Sequence, residues 1–212
     1  MRRAWRRTTT DPQARRRGQS LVEFAMIVPV VLLLLVGMLE FGFIFDQAMT
    51  LNYATREGAR SGAAFASGND TTMVCTTSTD IDKHIIAAVQ RVLEAPGSRV
   101  DVTQINEIRI YKATSTGDQA GGAANVWTYL ADGGPAVDLQ NLDFAVASTN
   151  WNACTRDNTW TAGNSPDSIG ISISYTYRMV TPIGSLLGFF GSPGGGTLPI
   201  SDRSIMALNP TN

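Results

Sequence analysis

The most informative stretch of this 212-residue chain is residues 15–45, RRRGQSLVEFAMIVPVVLLLLVGMLEFGFIF. Residues 24–45 contain a single charged residue, Glu40. As a helix, residues 25–45 would be about 31 Å long, because each residue adds about 1.5 Å. That length matches the roughly 30 Å hydrocarbon core of a bilayer. The stretch therefore predicts a helix that crosses a membrane, and Pro29 within it predicts a kink.

Charge is divided unevenly along the chain. Residues 1–17 hold seven Arg and one Asp, a net 7 − 1 = +6, whereas residues 19–212 hold ten Lys or Arg and seventeen Asp or Glu, a net 10 − 17 = −7. By the positive-inside rule, the N-terminus is expected in the cytoplasm and residues 46–212 outside it. The acidic body argues against nucleic acid as a partner. Two Cys are too few for a disulfide scaffold or a structural zinc site.

Three interpretations compete for the apolar segment. A cleaved secretory signal fits poorly, because the apolar region exceeds the usual ~7–15 residues and the first A-x-A after it, at residues 64–66, lies about twenty residues beyond it. A plain signal anchor explains the hydropathy and the charge division. A prepilin-type N-terminus explains more, because Gly18 closes the basic leader and an acidic residue, Glu23, follows five residues later at the edge of the apolar helix.

Cleavage after Gly18 would give Gln19 a free α-amine, and glycine leaves a peptidase room at the backbone. A carboxylate at a membrane boundary is costly unless it has a partner. The new amine could pair with Glu23 of a neighbouring subunit as the helices bundle. The residues assigned to processing are Gly18, Gln19, Glu23 and Phe24, and those assigned to helix packing are Leu21, Val22, Ala25, Ile27 and Pro29, with the Leu32–Leu35 run.

The order of these elements resembles the N-terminus of TadE-like proteins of the tight-adherence (Flp-type) pilus system. The resemblance covers residues 15–64 and rests on the G-x4-E-F box at 18–24, the early Pro29, the late Glu40-Phe-Gly and the N-Y-A-x-R-E-G-A-R run at 52–60. It implies a minor pilin or pseudopilin that is not an enzyme and needs no cofactor. A prepilin peptidase would cut the precursor, and the implied partners are other pilins or pseudopilins and the pilus assembly platform. The Arg-rich leader of eighteen residues departs from the family pattern.

Two helices are expected beyond the basic leader. The first would run from about residue 20 to about residue 66, with its second half packed on a soluble domain. The second would follow Asp80 or Asp82 as its cap, bury an apolar stripe and end at Pro96-Gly97. The stripe consists of Ile81, Ile85, Ala88 or Val89, and Val92.

Strand signals are strongest near the C-terminus. Strict alternation over residues 168–180, SIGISISYTYRMV, predicts an antiparallel strand with one solvated face. Weaker signals predict one or two strands within 99–112 and a last strand at 197–208. Residues 113–136 are rich in Gly, Ala, Ser and Thr and are expected to form a long surface loop, with a short extended piece at Trp127–Leu130. Phe144–Val146 is ambiguous.

Together these elements predict an α+β, pilin-like architecture: a long N-terminal transmembrane helix that continues into a domain with a second helix and a small antiparallel sheet. The expected division is a basic cytoplasmic leader at 1–18, the transmembrane and extended helix at 19–66, and an extracytoplasmic domain at 67–212. The expected location is the bacterial cytoplasmic membrane, with incorporation into a surface pilus as a further possibility.

Catalytic and metal-binding motifs are not found in the sequence, which lacks P-loop, G-x-S-x-G and H-E-x-x-H patterns. The single histidine, His84, is interpreted as a helix-surface residue. Cys75 and Cys154 would form a disulfide in an oxidising compartment, with two reduced thiols as the alternative. Residues 183–190 are either a core loop or an exposed apolar patch. The alternatives in function are a membrane-anchored enzyme and an unprocessed single-pass anchor that displays a binding domain.

Overall fold

The computed structural model describes residues 12–65, 77, 79–158, 165–182, 184 and 196–208. Its first element, α1, is a single helix from Pro12 to Phe65. The prediction of one long helix through the apolar stretch is therefore confirmed. Pro29 lies within this helix, where its missing N–H removes one backbone hydrogen bond.

The second half of α1 packs on the rest of the protein through small and apolar residues. Leu51, Ala54 and Ala59 are fully buried, at spacings that put them on one helix face. On the opposite side, Arg56 and Arg60 are exposed, as expected for a solvated face. This half of α1 is therefore a structural part of the domain as well as an extension of the apolar segment.

The second helix, α2, runs from Asp82 to Leu93 and buries the predicted stripe against α1. The prediction that Asp80 or Asp82 caps this helix is wrong. Ile81 occupies the cap position, and no side chain caps the helix there. Asp80 instead accepts hydrogen bonds from the backbone N–H and hydroxyl of Thr77, and Asp82 is fully buried in an ion pair. The sequence pattern for a helix cap fails here because the carboxylate of Asp82 pairs with Arg156, a residue distant in sequence.

Among the described residues after α2, a 3₁₀ turn at Val102–Gln104 precedes seven strands. They are β1 (Ile105–Ala113), β2 (Gln119–Tyr129), β3 (Ala136–Val137), β4 (Gln140–Asn141), β5 (Phe144–Thr149), β6 (Ser168–Arg178) and β7 (Thr197–Ala207). Five of them form an antiparallel sheet in the order β5-β2-β1-β6-β7, and β3 pairs with β4 in a short hairpin. The predicted α+β class, with a helical layer on an antiparallel sheet, is confirmed.

The main core lies between the sheet and the two helices. The alternation predicted for β6 is present, because Ile169, Ile171, Ile173, Tyr175 and Tyr177 are all buried. They meet α1 directly, and α1 also contacts β7. The predicted last strand is confirmed as β7. The predicted apolar segment at 183–190 lies outside the described residues apart from Gly184.

The prediction of a long loop over residues 113–136 is wrong, because Gln119–Tyr129 forms β2, and the predicted extended piece at Trp127–Leu130 overlaps the end of that strand. This strand lies inside the sheet, between β1 and β5. Of its small residues, Ala124 is buried and packs with Tyr111, its partner on β1, whereas Gly121 and Gly122 are exposed. Tyr111 also pairs with Gly170 on β6, where a side chain would collide with the Tyr111 ring. Small residues indicate a loop when read alone, but here the backbone hydrogen bonds to β1 and β5 make them part of the sheet.

Candidate functional site: the exposed helix and its junction with the domain

The predicted processing motif lies at the beginning of the described side chains. Gly18 lies within α1, seventh from its first residue Pro12. Gln19, Glu23 and Phe24 are exposed. The side-chain amide of Gln19 donates a 3.1 Å hydrogen bond to the carboxylate of Glu23, four residues later. One helical turn thus places the first residue after the predicted cleavage point next to the predicted acidic residue.

The apolar part of α1 is exposed along its whole length. An 18-residue window within Gln19–Ala64 is apolar enough to cross a membrane, and none of it is buried against the other residues that the structure describes. An exposed apolar surface of this size is unfavourable in water. Its large side chains with about half or more of their surface exposed are Leu21, Val22, Phe24, Met26, Ile27, Val30, Leu32, Leu33, Leu34, Leu35, Met38, Leu39 and Phe41.

The exposed segment ends at Glu40, where the soluble domain begins to cover the helix. Glu40 is 4% exposed. Its carboxylate accepts hydrogen bonds from the hydroxyl of Tyr177 and from the backbone N–H groups of Val180 and Thr181, the latter two at 3.0 and 2.9 Å. Three donors from the end of β6 and the residues after it therefore hold one carboxylate of α1.

This contact changes the interpretation of Glu40, which the sequence presents only as an interruption of the apolar run. The residue is satisfied by its own chain, so it needs no partner from another subunit. Burial and the hydrogen bond to Glu40 raise the pKa of Tyr177, which keeps the hydroxyl protonated as a donor. An acidic residue inside an apolar helix is the sequence signal that marks Glu40 as unusual. The sequence does not identify its partner, Tyr177, which is 137 residues away.

A second buried charge lies at the start of α2. The Asp82 carboxylate lies 2.6 Å from Arg156 Nη2 in an ion pair, and it accepts a 2.5 Å hydrogen bond from the side-chain amide of Asn125. The Arg156 guanidinium stacks on Trp151, 4.1 Å from the ring centroid, and Asn125 also binds the carbonyl of Trp151. Burial raises the pKa of Asp82, and Arg156 and Asn125 oppose that effect. The network fixes the segment after β5 against α2.

This segment contains Cys154, which is disulfide-bonded. Its Sγ lies 3.2 Å from the carbonyl oxygen of Thr77. Cys75 lies outside the described residues, so the Cys75–Cys154 pairing stays a prediction. The proximity of Thr77 places residue 154 close to the part of the chain in which Cys75 occurs.

His84 lies in α2 and is partly buried. Burial and the neighbouring Lys83 lower its pKa, while Asp138 and Asp80 act in the opposite direction. It lines a shallow surface depression with Glu57, Arg60 and Asp138 among others. Among the described residues, no group of three or more His, Cys, Asp and Glu side chains is arranged to hold a metal ion.

An apolar helix that is long enough to cross a membrane and continues into the core of an α+β domain defines a class of single-helix membrane-anchored proteins. Within that class, residues 18–60 match the family of TadE-like proteins. This family is structural rather than enzymatic, and a TadE-like segment implies a role in a tight-adherence pilus system. No curated protein and no solved structure matches the chain.

Proposed function

We propose that this chain is a pseudopilin-like subunit that takes part in tight-adherence pilus assembly or structure by lateral packing of its N-terminal helix. The observation that carries the proposal is the exposed apolar length of α1, which begins with the Gln19–Glu23 pair. A helix with no covering surface in its own chain requires lipid or neighbouring helices around it. The match to TadE-like proteins suggests that these neighbouring helices belong to other subunits of a pilus system.

The precursor has three parts in this proposal: a cytoplasmic leader at 1–18, the helix at 19–66 and an extracytoplasmic domain at 67–212. A prepilin peptidase removes the leader after Gly18. The α-amine of Gln19 then lies close to the carboxylate of Glu23 on an adjacent helix. The two opposite charges compensate each other as the helices pack. Leu21, Val22, Ala25, Ile27 and Pro29 lie on the packing surface.

The two glutamates within residues 19–45 of α1 have different tasks in this mechanism. Glu40 is already satisfied by three donors of its own chain. Glu23 is exposed, and its hydrogen bond with the neutral Gln19 amide leaves its negative charge uncompensated. A charge that becomes buried as helices pack requires hydrogen-bond donors or an opposite charge. Of these two glutamates, Glu23 is therefore the one that is available to a neighbouring subunit.

The first experiment is the intact mass of the full chain recovered from its native membrane with the peptidase present. We expect a chain that starts at Gln19. The same spectrum shows whether Gln19 keeps its amine, because N-terminal glutamine can cyclise with loss of ammonia. A fully cyclised terminus would contradict the charge pair. Retention of residues 1–18 would contradict processing and support the alternative, an unprocessed single-pass anchor that displays an extracytoplasmic binding domain.

Variants separate processing from assembly. Gly18→Val is expected to block cleavage, whereas Gly42→Val, at a position with open space around its Cα, is expected to be processed normally. Glu23→Gln is expected to be cleaved yet incorporated poorly into fibres. Glu57→Gln is its matched control, because Glu57 is an exposed acid on the same helix. Equal incorporation of the two Gln variants would overturn the role of Glu23.

We further propose that Cys75 and Cys154 pair with each other. Such a disulfide closes a loop of roughly 80 residues and would stabilise the domain by about 4–5 kcal/mol in the chain-entropy model. Proteolytic peptide mapping under non-reducing conditions should recover one cross-linked peptide that contains both residues. Recovery of both cysteines as free thiols after alkylation would contradict the pairing.

A further inference from the structure

The base of the domain has a groove at the level where α1 leaves the apolar segment. Its lining consists of Met38, Leu39, Gly42, Phe43, Asp46, Gly97 and Arg99. The groove has a volume of about 460 Å³. It combines apolar side chains on the membrane side with one basic and one acidic side chain on the domain side.

The depth of the groove follows from Glu40. Glu40 is the first buried residue among the described side chains of α1, so we take residues 19–39 as the part surrounded by hydrocarbon, and 21 residues of helix span about 31 Å. The polar headgroup layer adds roughly 5–8 Å on each side of the hydrocarbon core. Phe43 and Asp46 lie four and seven residues beyond Leu39, about 6 and 10 Å further along the helix axis. Phe43 therefore lies within the headgroup layer, and Asp46 lies just beyond its outer edge.

Arg99 is held at this level by two contacts. Its guanidinium lies over the ring of Phe43, 5.0 Å from the ring centroid, a cation–π arrangement. Its carbonyl accepts a 3.0 Å hydrogen bond from the side-chain amide of Gln47. Arg99 remains exposed. The loop after α2 thus presents a positively charged group beside the emerging helix.

The two charged side chains of the groove remain available to a ligand. Among the described residues, neither Arg99 nor Asp46 forms an ion pair. Both side chains are exposed. The groove therefore offers a guanidinium and a carboxylate, with an apolar channel formed by Met38 and Leu39 leading toward the hydrocarbon.

We propose that this groove binds a phospholipid whose headgroup carries a phosphate and a primary ammonium, such as phosphatidylethanolamine. Arg99 binds the phosphate with its guanidinium. Asp46 accepts hydrogen bonds from the ammonium, and Met38, Leu39 and Phe43 contact the acyl chains. The groove is specific for a headgroup with an ammonium, because without that group the negatively charged Asp46 would face the negatively charged phosphate. A quaternary ammonium cannot donate a hydrogen bond to Asp46.

The inference rests on the membrane-spanning helix of the proposed function but not on cleavage or assembly. The bound lipid would fix the domain's height above the bilayer, because one surface of the lipid contacts α1 and the other contacts the loop after α2. A pseudopilin and an unprocessed anchor would both carry such a site. Failure of lipid binding therefore leaves the mass test of Gln19 unaffected, and failure of that test leaves lipid binding unaffected.

The test is native mass spectrometry of the full chain released from nanodiscs that contain equal amounts of phosphatidylethanolamine, phosphatidylglycerol and phosphatidylcholine. The expected result is one retained phosphatidylethanolamine, favoured over the other two lipids by about fivefold, the upper range for a single exposed charge pair. Arg99→Gln should reduce retention of all three lipids. Asp46→Asn should abolish the preference for the primary ammonium and keep retention of phosphatidylglycerol.

Arg178→Gln is the matched control for charge. Arg178 is exposed and follows Tyr177, which contacts Glu40, so it lies near the same level but outside the groove. It should leave the preference unchanged. Three outcomes would overturn the proposal: equal retention by Arg99→Gln and the unmodified chain, a preference that survives Asp46→Asn, or an equal loss in Arg178→Gln. Efficient cross-linking between position 99 of one copy and position 39 of another, in copies that retain no lipid, would instead assign the groove to subunit packing.

Discussion

The carboxylate of Glu40 on α1 accepts a hydrogen bond from the hydroxyl of Tyr177 on β6. The two residues lie 137 positions apart. This contact joins the exposed apolar helix to the sheet at the point where the domain begins. The helix and the domain are therefore connected by a specific polar contact as well as by the continuous backbone of α1.

Replacement of Glu40 should weaken this junction. Glu40→Gln removes the charge and turns part of the side chain into a donor, which faces the N–H groups of Val180 and Thr181. We expect a loss of about 2–4 kcal/mol in the free energy of unfolding of the domain, because hydrogen bonds to charged groups contribute about 1.5–3 kcal/mol each. Denaturation in detergent, followed by tryptophan fluorescence, measures this change.

A double-mutant cycle with Tyr177→Phe identifies the contact. Tyr177→Phe should cost about 1–2 kcal/mol in the unmodified chain and clearly less when Glu40 is already Gln. Glu57→Gln, an exposed position of the same helix, serves as the control and should leave stability unchanged. Strict additivity of the two substitutions would show that the hydrogen bond contributes nothing to the junction.

Gly58 permits close approach between α1 and α2. A Cβ at this position would lie 2.6 Å from Cγ2 of Val89 and 3.4 Å from Cγ2 of Ile171. The β-branched Val89 side chain is stiff and cannot move away easily. Gly58→Ala should therefore destabilise the domain by about 1–3 kcal/mol, the range for overpacked cores, despite its better helix propensity.

Gly42→Ala is the control for this prediction, because nothing lies within 4 Å of a Cβ built there. It should be neutral or stabilise the helix by up to about 1 kcal/mol. Thermal unfolding of both variants in the same detergent makes the comparison. A Gly58→Ala protein as stable as the Gly42→Ala protein would mean that the helices separate at little cost.

The sequence was sufficient for the elements with strong periodicity. The length of the apolar run predicted α1, and eleven residues of alternation predicted β6, because burial of one face imposes its period on the sequence. The first part of β2 was missed because residues 119–124 are mostly small, and the buried one among them, Ala124, packs with Tyr111 of another strand. The sequence around β2 does not show which residue of the neighbouring strand will pack against it.

For the candidate site too, the sequence indicates local features but not contacts between residues distant in sequence. The processing motif is local, so spacing alone predicts Gly18, Gln19 and Glu23, and their role in processing stays a prediction. The partner of Glu40 is not local, and nothing in the sequence near residue 40 indicates that a tyrosine more than a hundred positions later will donate to it. The apparent cap at Asp82 was wrong for a similar reason, because its partner Arg156 is distant in sequence.

His84 predicts a pH dependence of stability. Its folded pKa is lowered, chiefly by burial, so the unfolded chain binds a proton more readily than the folded chain. The stability contribution is therefore fully present above the ordinary histidine pKa of about 6.5 and decreases as the pH falls below it. The melting temperature should decrease between pH 7.5 and 5.5, and His84→Gln should reduce that decrease.

The histidine effect can be isolated because the sequence contains one His. The carboxylates titrate mostly below this pH range. An identical slope for the unmodified chain and His84→Gln would show that another group controls stability there. Reversal of the slope would mean that the positive form of His84 is favoured by Asp138 and Asp80 more than burial disfavours it.

Asp82 and Arg156 form an ion pair in which both side chains are fully buried. Removal of one partner leaves the other charge buried without compensation, which typically costs about 3–5 kcal/mol. Arg156→Met should therefore destabilise the domain by about this amount. It should also loosen the segment around Cys154, and hydrogen exchange at residues 150–158 would increase. Asp118→Asn, in the exposed pair with Arg203, is the control and should change neither quantity.

The decisive variant is the double substitution Asp82→Asn with Arg156→Met. If the cost of the single variant comes from an uncompensated charge, neutralising Asp82 should recover part of the lost stability, so that the double variant is more stable than Arg156→Met alone. Asn125 can still donate to the new amide oxygen, which preserves one hydrogen bond of the network. A double variant less stable than either single one would show that packing around Trp151, rather than charge, makes this pair important.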